Sequence, residues 1–93
     1  MDIFTYGILK DSEINRLKKK TRHNLGAKIK EVRESKSLTQ VDLASRIEGR
    51  FDTSNVSRIE SGRINTTVFT LFRIAKALDI DISDLLDIEV FED

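Results

Sequence analysis

Residues 39–62 read TQVDLASRIEGRFDTSNVSRIESG. Thr39 with Asp42 three residues on forms a capping box, Asp standing in for Glu, and so predicts a helix opening at Thr39. Val41, Leu43, Ala44 and Ile47 give that helix its apolar positions. Glu48-Gly49-Arg50 breaks the pattern, and Asp52 is the next N-cap candidate. Phe51 and Val56 stand at the N′ and N4 positions of a hydrophobic staple around it. The helix that follows turns Val56 and Ile59 inward and stops at Ser61-Gly62, with glycine as the C′ residue. Its outward side, Thr53, Ser54, Asn55, Ser57 and Arg58, is short and polar.

Helical spacing also dominates on either side. Ile14, Leu17, Thr21, Leu25, Ile29 and Val32 recur at steps of three and four, which predicts a helix ending near Ser35 with Ser12 or Thr21 as its N-cap. Gly26 within it disfavours helix by about 1 kcal/mol relative to alanine, so a close helix crossing is expected there. Asn65 or Thr66 is expected to cap a fourth helix bearing Val68, Leu71, Phe72, Ile74, Ala75 and Leu78. Ser83 is expected to cap a short fifth piece, Asp84-Leu85-Leu86-Asp87. Ile88, Val90 and Phe91 read as a short strand. The expected organisation is an N-terminal extension over 1–20, partly helical and available for oligomerisation. A helical domain over 21–87 and an acidic tail over 88–93 follow.

The chain has 93 residues, no cysteine, and 16 basic against 16 acidic side chains. That length suits one domain with a small core. Without cysteine there are no disulfides, thiol chemistry or cysteine-based zinc sites, which suits a cytoplasmic protein. No apolar run approaches the ~20 residues of a membrane span, and the N-terminus lacks a basic signal-peptide region. Zero net charge is an average over a polarised chain. Residues 1–30 carry eight basic and three acidic side chains, residues 31–62 five and six, and residues 63–93 three and seven. Such asymmetry points to nucleic-acid contact or to an acidic tail. Lys18-Lys19-Lys20 with Arg22 reads either as a solvated run or as a phosphate-binding leading helix.

Two short helices joined by a Gly-containing turn, set in a five-helix array, have helix-turn-helix geometry, in which the second helix enters the DNA major groove. Short hydrogen-bonding side chains let its backbone approach base edges, and one long arginine can reach guanine O6 and N7. Leu25-Gly26 with Ile29, Arg33, Leu38-Thr39-Gln40, Leu43-Ala44, Val56 to Gly62, and Leu71, Ile74, Ala75 and Leu78 resemble the phage-repressor-like helix-turn-helix domains of the Xre or Cro/C1 type. The resemblance covers about Leu25 to Leu86. Two departures are visible: the turn Glu48-Gly49-Arg50 is about two residues longer than usual, and Thr66 stands where the family often has proline.

The resemblance implies an all-α, five-helix lambda-repressor-like domain. It implies base contacts from Thr53, Ser54, Ser57 and Arg58. Phosphate contacts would come from Gln40, Asn55, Arg63, Asn65, Thr66 and Thr67, and Gln40 would also brace the recognition helix. Arg33 and Glu60 would form a buried structural ion pair. The expected function is that of a sequence-specific transcriptional regulator, a repressor binding double-stranded DNA at a palindromic operator as a homodimer. Ile80, Ile82, Leu85, Ile88, Val90 and Phe91 are the expected dimer surface. The alternative is an antitoxin of the same fold, with a toxin protein bound through a terminal segment. No cofactor or metal is expected, since His23 is the sole histidine. Asp79 to Asp87 have no nucleophile, base or phosphate loop beside them, so an enzyme is not expected.

Overall fold

The apolar spacing from Ile14 to Val32 produces one long helix, α1 (Asp11–Ser35). It is followed by α2 (Gln40–Arg46), α3 (Thr53–Glu60), α4 (Val68–Ala77) and α5 (Ile82–Leu86). The structure, a computed structural model, describes residues 10–89. The apolar residues Ile3 to Leu9, and Val90 and Phe91 of the expected strand, lie outside these residues. Ile88 and Glu89 are not in a strand.

The start and stop signals differ in strength. The capping box on α2 is complete: Thr39 Oγ1 accepts from the Asp42 N–H at 3.0 Å, and Asp42 Oδ2 accepts from the Thr39 N–H at 2.8 Å. Asp52 occupies the N-cap of α3 but makes no side-chain capping bond. Three expected caps move. The N-cap of α1 is Lys10, so Ser12 and Thr21 both lie inside the helix. Thr21 turns its hydroxyl back to the Leu17 carbonyl at 2.7 Å, a bond that a helix interior provides for it. The cap of α4 is Thr67 rather than Asn65 or Thr66, its hydroxyl accepting from the Thr70 N–H at 3.0 Å. The cap of α5 is Asp81, which places Ser83 within the helix.

Three helices end alike. After α1, α3 and α4 the chain enters the left-handed region at Ser37, Gly62 and Asp79. In each, the next two N–H groups return to the last turn. After α3 these are Gly62 N–H to the Ile59 carbonyl at 3.1 Å and Arg63 N–H to the Arg58 carbonyl at 3.0 Å. This is the Schellman arrangement, which satisfies carbonyls that would otherwise lack partners.

Ile29, Leu43, Val56, Ile74, Leu78 and Leu85 form the centre of the core, one or two from each helix. Burying a side chain of this size contributes roughly 1.5–3 kcal/mol relative to leaving it exposed. α1 crosses α3, α2 packs on α3 and α4, and α5 closes over α4 and α1. Leu85 is completely buried, and Ile80 and Ile82 pack against the core. These three residues are therefore spent on the fold and are not the dimer surface expected of them. The exposed large apolar side chains are Val41, Val68, Phe69, Phe72 and Leu86.

Candidate nucleic-acid interface

The second helix of the motif is held from three sides. Its inward residues Val56 and Ile59 are buried in the core. Its last residue, Glu60, is buried and receives two parallel hydrogen bonds from Arg33 on α1: Nε to Oε2 at 2.7 Å and Nη2 to Oε1 at 2.9 Å. The glutamate's hydrogen bond is the main reason the Arg33 guanidinium holds its proton more tightly than usual, opposed in part by burial. Arg33 Nη1 also donates to the Leu38 carbonyl at 2.7 Å, before α2 begins. Gln40, the first residue of α2, donates from Nε2 to Glu60 Oε1 at 3.0 Å. One carboxylate thus joins α1, α2 and α3. A buried carboxylate needs such full pairing, because an unpaired charge in the interior is strongly destabilising.

Close approach of α1 to α3 depends on Gly26. A side-chain carbon there would meet the backbone carbonyls of Ile59 and Glu60. The helix crossing expected from the sequence is therefore present, and the backbone of α3 occupies the space a side chain would need.

The longer turn between α2 and α3 is anchored by a residue that the sequence reading did not single out. Arg73 on α4 donates from Nε to the Glu48 carbonyl at 3.1 Å, with a second bond from Nη2. Its guanidinium lies over the rings of Phe51 and Phe69, 5.4 and 5.9 Å from their centroids. Lys76 pairs with the Glu48 carboxylate at 2.9 Å. The available signal was the spacing Phe69–Arg73, one helical turn, which places a cation beside an aromatic ring on an otherwise apolar face.

These supports leave one side of α3 to solvent. Ser54 and Arg58 are exposed, and Thr53, Asn55 and Ser57 are half-buried. Arg58 Nη2 donates to Asn55 Oδ1, so these two residues act together on that side. Beyond the Schellman turn lie Arg63, Asn65, Thr66 and Thr67. Arg63 Nε donates to Ser61 Oγ at 2.8 Å, and Thr67 is occupied in capping α4. Gln40 lies apart from this loop, at the start of α2. Among the described residues no group of three or more His, Asp or Glu side chains could hold a metal ion, and no helix is long and apolar enough to cross a membrane.

The helix-turn-helix family profile matches residues 29–85, from the buried Ile29 of α1 to the buried Leu85 of α5. Among solved structures, the chain is similar to the restriction-modification controller protein C.AhdI from Aeromonas hydrophila. That match has 29% identity and a TM-score of 0.62 over 77% of this chain and 97% of the other. A search of curated proteins returns no match. With its α2–turn–α3 unit, its polar outer face and a profile match over most of its length, the chain belongs to the helix-turn-helix family of phage-repressor-like, Xre/Cro-C1-type DNA-binding transcriptional regulators.

Proposed function

We propose that the chain is a sequence-specific repressor that binds a palindromic operator as a homodimer, with α3 in the major groove. The observation that carries this is the outer side of α3, left polar and open while the helix is fixed by the Arg33–Glu60–Gln40 network. At about 12 Å, an eight-residue helix is comparable with the width of the major groove. In this reading Thr53, Ser54, Ser57 and Arg58 face bases. Asn55 orients Arg58 and reaches a phosphate at the groove edge. Arg63, Asn65, Thr66 and the N-terminal turn of α4 after Thr67 hold phosphates on one side, where free helix N–H groups favour anions. Gln40 holds one on the other side with its second amide N–H.

A two-fold dimer needs a patch complementary to itself. The face of α4 offers one. Val68 is 75% exposed, Phe69 68% and Phe72 52%. Arg46, Arg73 and Lys76 border this face on one side, and Asp79, Asp81 and Asp84 on the other. Two-fold pairing across Phe72 would bring the basic border of each copy to the acidic border of its partner. Because the similar solved structure is a restriction-modification controller, promoters of restriction-modification genes are the first natural DNA to test.

The direct experiment is selection of bound duplexes from a random pool, followed by footprinting. The expected result is one palindromic sequence with half-sites about 34 Å apart and an affinity that falls steeply with salt. A pool that yields no preferred sequence would overturn the proposal.

A further inference from the structure

Lys18, Arg22, Gly26, Ile29 and Arg33 follow one another at steps of four, four, three and four, so they share one face of α1. From Gly26 onward that face is buried. Earlier in the helix it carries Arg22, half-buried, and Lys18, exposed, with exposed Lys19 at its margin. The change comes where α1 passes the end of α3. Arg22 Nε donates to the Gly62 carbonyl at 3.2 Å, and Gly62 lies against the backbone of Arg22 and His23. Asn65 and Thr66 line the same cleft as Thr21 and Arg22. Basic and polar groups therefore run without a break from the loop after α3 onto the leading half of α1.

We propose that this leading half of α1 is a second DNA contact, with Arg22, Lys18 and Lys19 holding backbone phosphates next to those held by the loop. The inference rests on the helix-turn-helix reading and adds an element outside the stretch of chain matched by the family profile. Lys18 stands about 6 Å further along the helix axis than Arg22, so the two cations reach separate positions along a backbone. The distribution of negative charge fits a polyanion on this side. The acidic residue on this face is Asp11, about two turns beyond Lys18. The C-terminal residues Asp87 and Glu89 lie on another side of α1, by Asn24, Ala27 and Lys28, where Asn24 Nδ2 donates to the Glu89 carbonyl. α1 is about 37 Å long at 1.5 Å per residue, against dimensions of 46 × 21 × 20 Å for the structure. Its leading half is thus the element able to extend the contact beyond the body of the domain.

The test uses the full chain, the selected operator duplex and a mixed-sequence duplex of equal length, with affinities measured by fluorescence anisotropy across a KCl series. Lys18→Gln/Lys19→Gln keeps helix propensity and removes two charges. Its plot of log affinity against log salt should be shallower by about 2 on both duplexes, with the preference for operator unchanged. Lys18→Arg/Lys19→Arg should restore the wild-type slope. Thermal unfolding of the glutamine variant should coincide with wild type, because both side chains are exposed. A glutamine variant with the wild-type slope and affinity overturns this inference alone, since the wild type still binds. A changed operator preference with an unchanged slope also overturns it. A wild-type protein that binds neither duplex removes the helix-turn-helix reading as well.

Discussion

The backbone of Gly26 rests directly on that of Glu60: a methyl group at Gly26 would stand 2.6 Å from the Glu60 carbonyl oxygen and 2.8 Å from its carbon. The obstruction is main chain, so no rotamer change relieves it. The same glutamate carries the ion pair to Arg33. A change at Gly26 therefore displaces α3 as a unit.

Gly26→Ala should lower stability by about 1–3 kcal/mol, the range for overpacking, despite the ~1 kcal/mol that alanine offers in helix propensity. Urea unfolding monitored by far-UV circular dichroism measures the difference. An unchanged or higher midpoint would mean that the two helices can separate freely.

Glu60→Ala should cost about 3–5 kcal/mol, because the Arg33 charge is left in the interior without its carboxylate. Replacing both partners, as in Arg33→Met/Glu60→Leu, should recover much of that loss, since well-packed apolar groups often replace a buried pair without penalty. Double-mutant cycles in urea measure the coupling. Two single variants whose losses simply add would show that the pair is not coupled.

Stability should fall with acid through the capping box of α2. The Asp42 carboxyl is held below its ordinary range, first by the Thr39 backbone hydrogen bond and then by the Thr39 side chain. Its folded pKa lies below its unfolded one. The contribution is therefore complete above the unfolded value of roughly 4 and is lost as pH drops through the folded value. Asp42→Asn should be less stable than wild type at neutral pH, and the difference should shrink below about pH 4. A difference constant across that range would refute the assignment.

Arg58→Ala should remove about 1–3 kcal/mol of discrimination at one operator base pair, and Asn55→Ala should weaken discrimination at the same position. The shared position follows from the Arg58–Asn55 hydrogen bond, which fixes the direction of the guanidinium. Competition binding with single-base operator variants resolves this. Equal losses on every sequence would reduce Arg58 to a phosphate contact.

Phe72→Glu should shift the protein towards monomer in sedimentation equilibrium and weaken operator binding, while the unfolding midpoint changes little. Phe72 is half exposed and borders both the basic and the acidic side of the α4 face. A variant that stays dimeric would place the two-fold contact elsewhere.

The sequence by itself determined the local decisions. The Thr39–Asp42 box, the Gly62 stop and the three-and-four spacing of apolar residues each act within about two helical turns, and each can be read from neighbours in the chain. Gly26 was legible as a crossing because a glycine inside a helix needs a packing reason. Adjacent capping candidates could not be ranked in the same way. Asn65, Thr66 and Thr67 differ by one residue each, and the position where α4 docks on the core selects Thr67. Leu85, Phe69 and Phe72 look alike as apolar residues at helical spacing. Only the packing of five helices decides that Leu85 is enclosed while the two phenylalanines stay outside. Arg73 over the Glu48 turn, and Arg22 against Gly62, join residues 25 and 40 positions apart. Contacts of that separation exist only after the chain has closed on itself. The tertiary structure therefore decided how the longer turn is held and where the basic face of α1 lies relative to the polar side of α3.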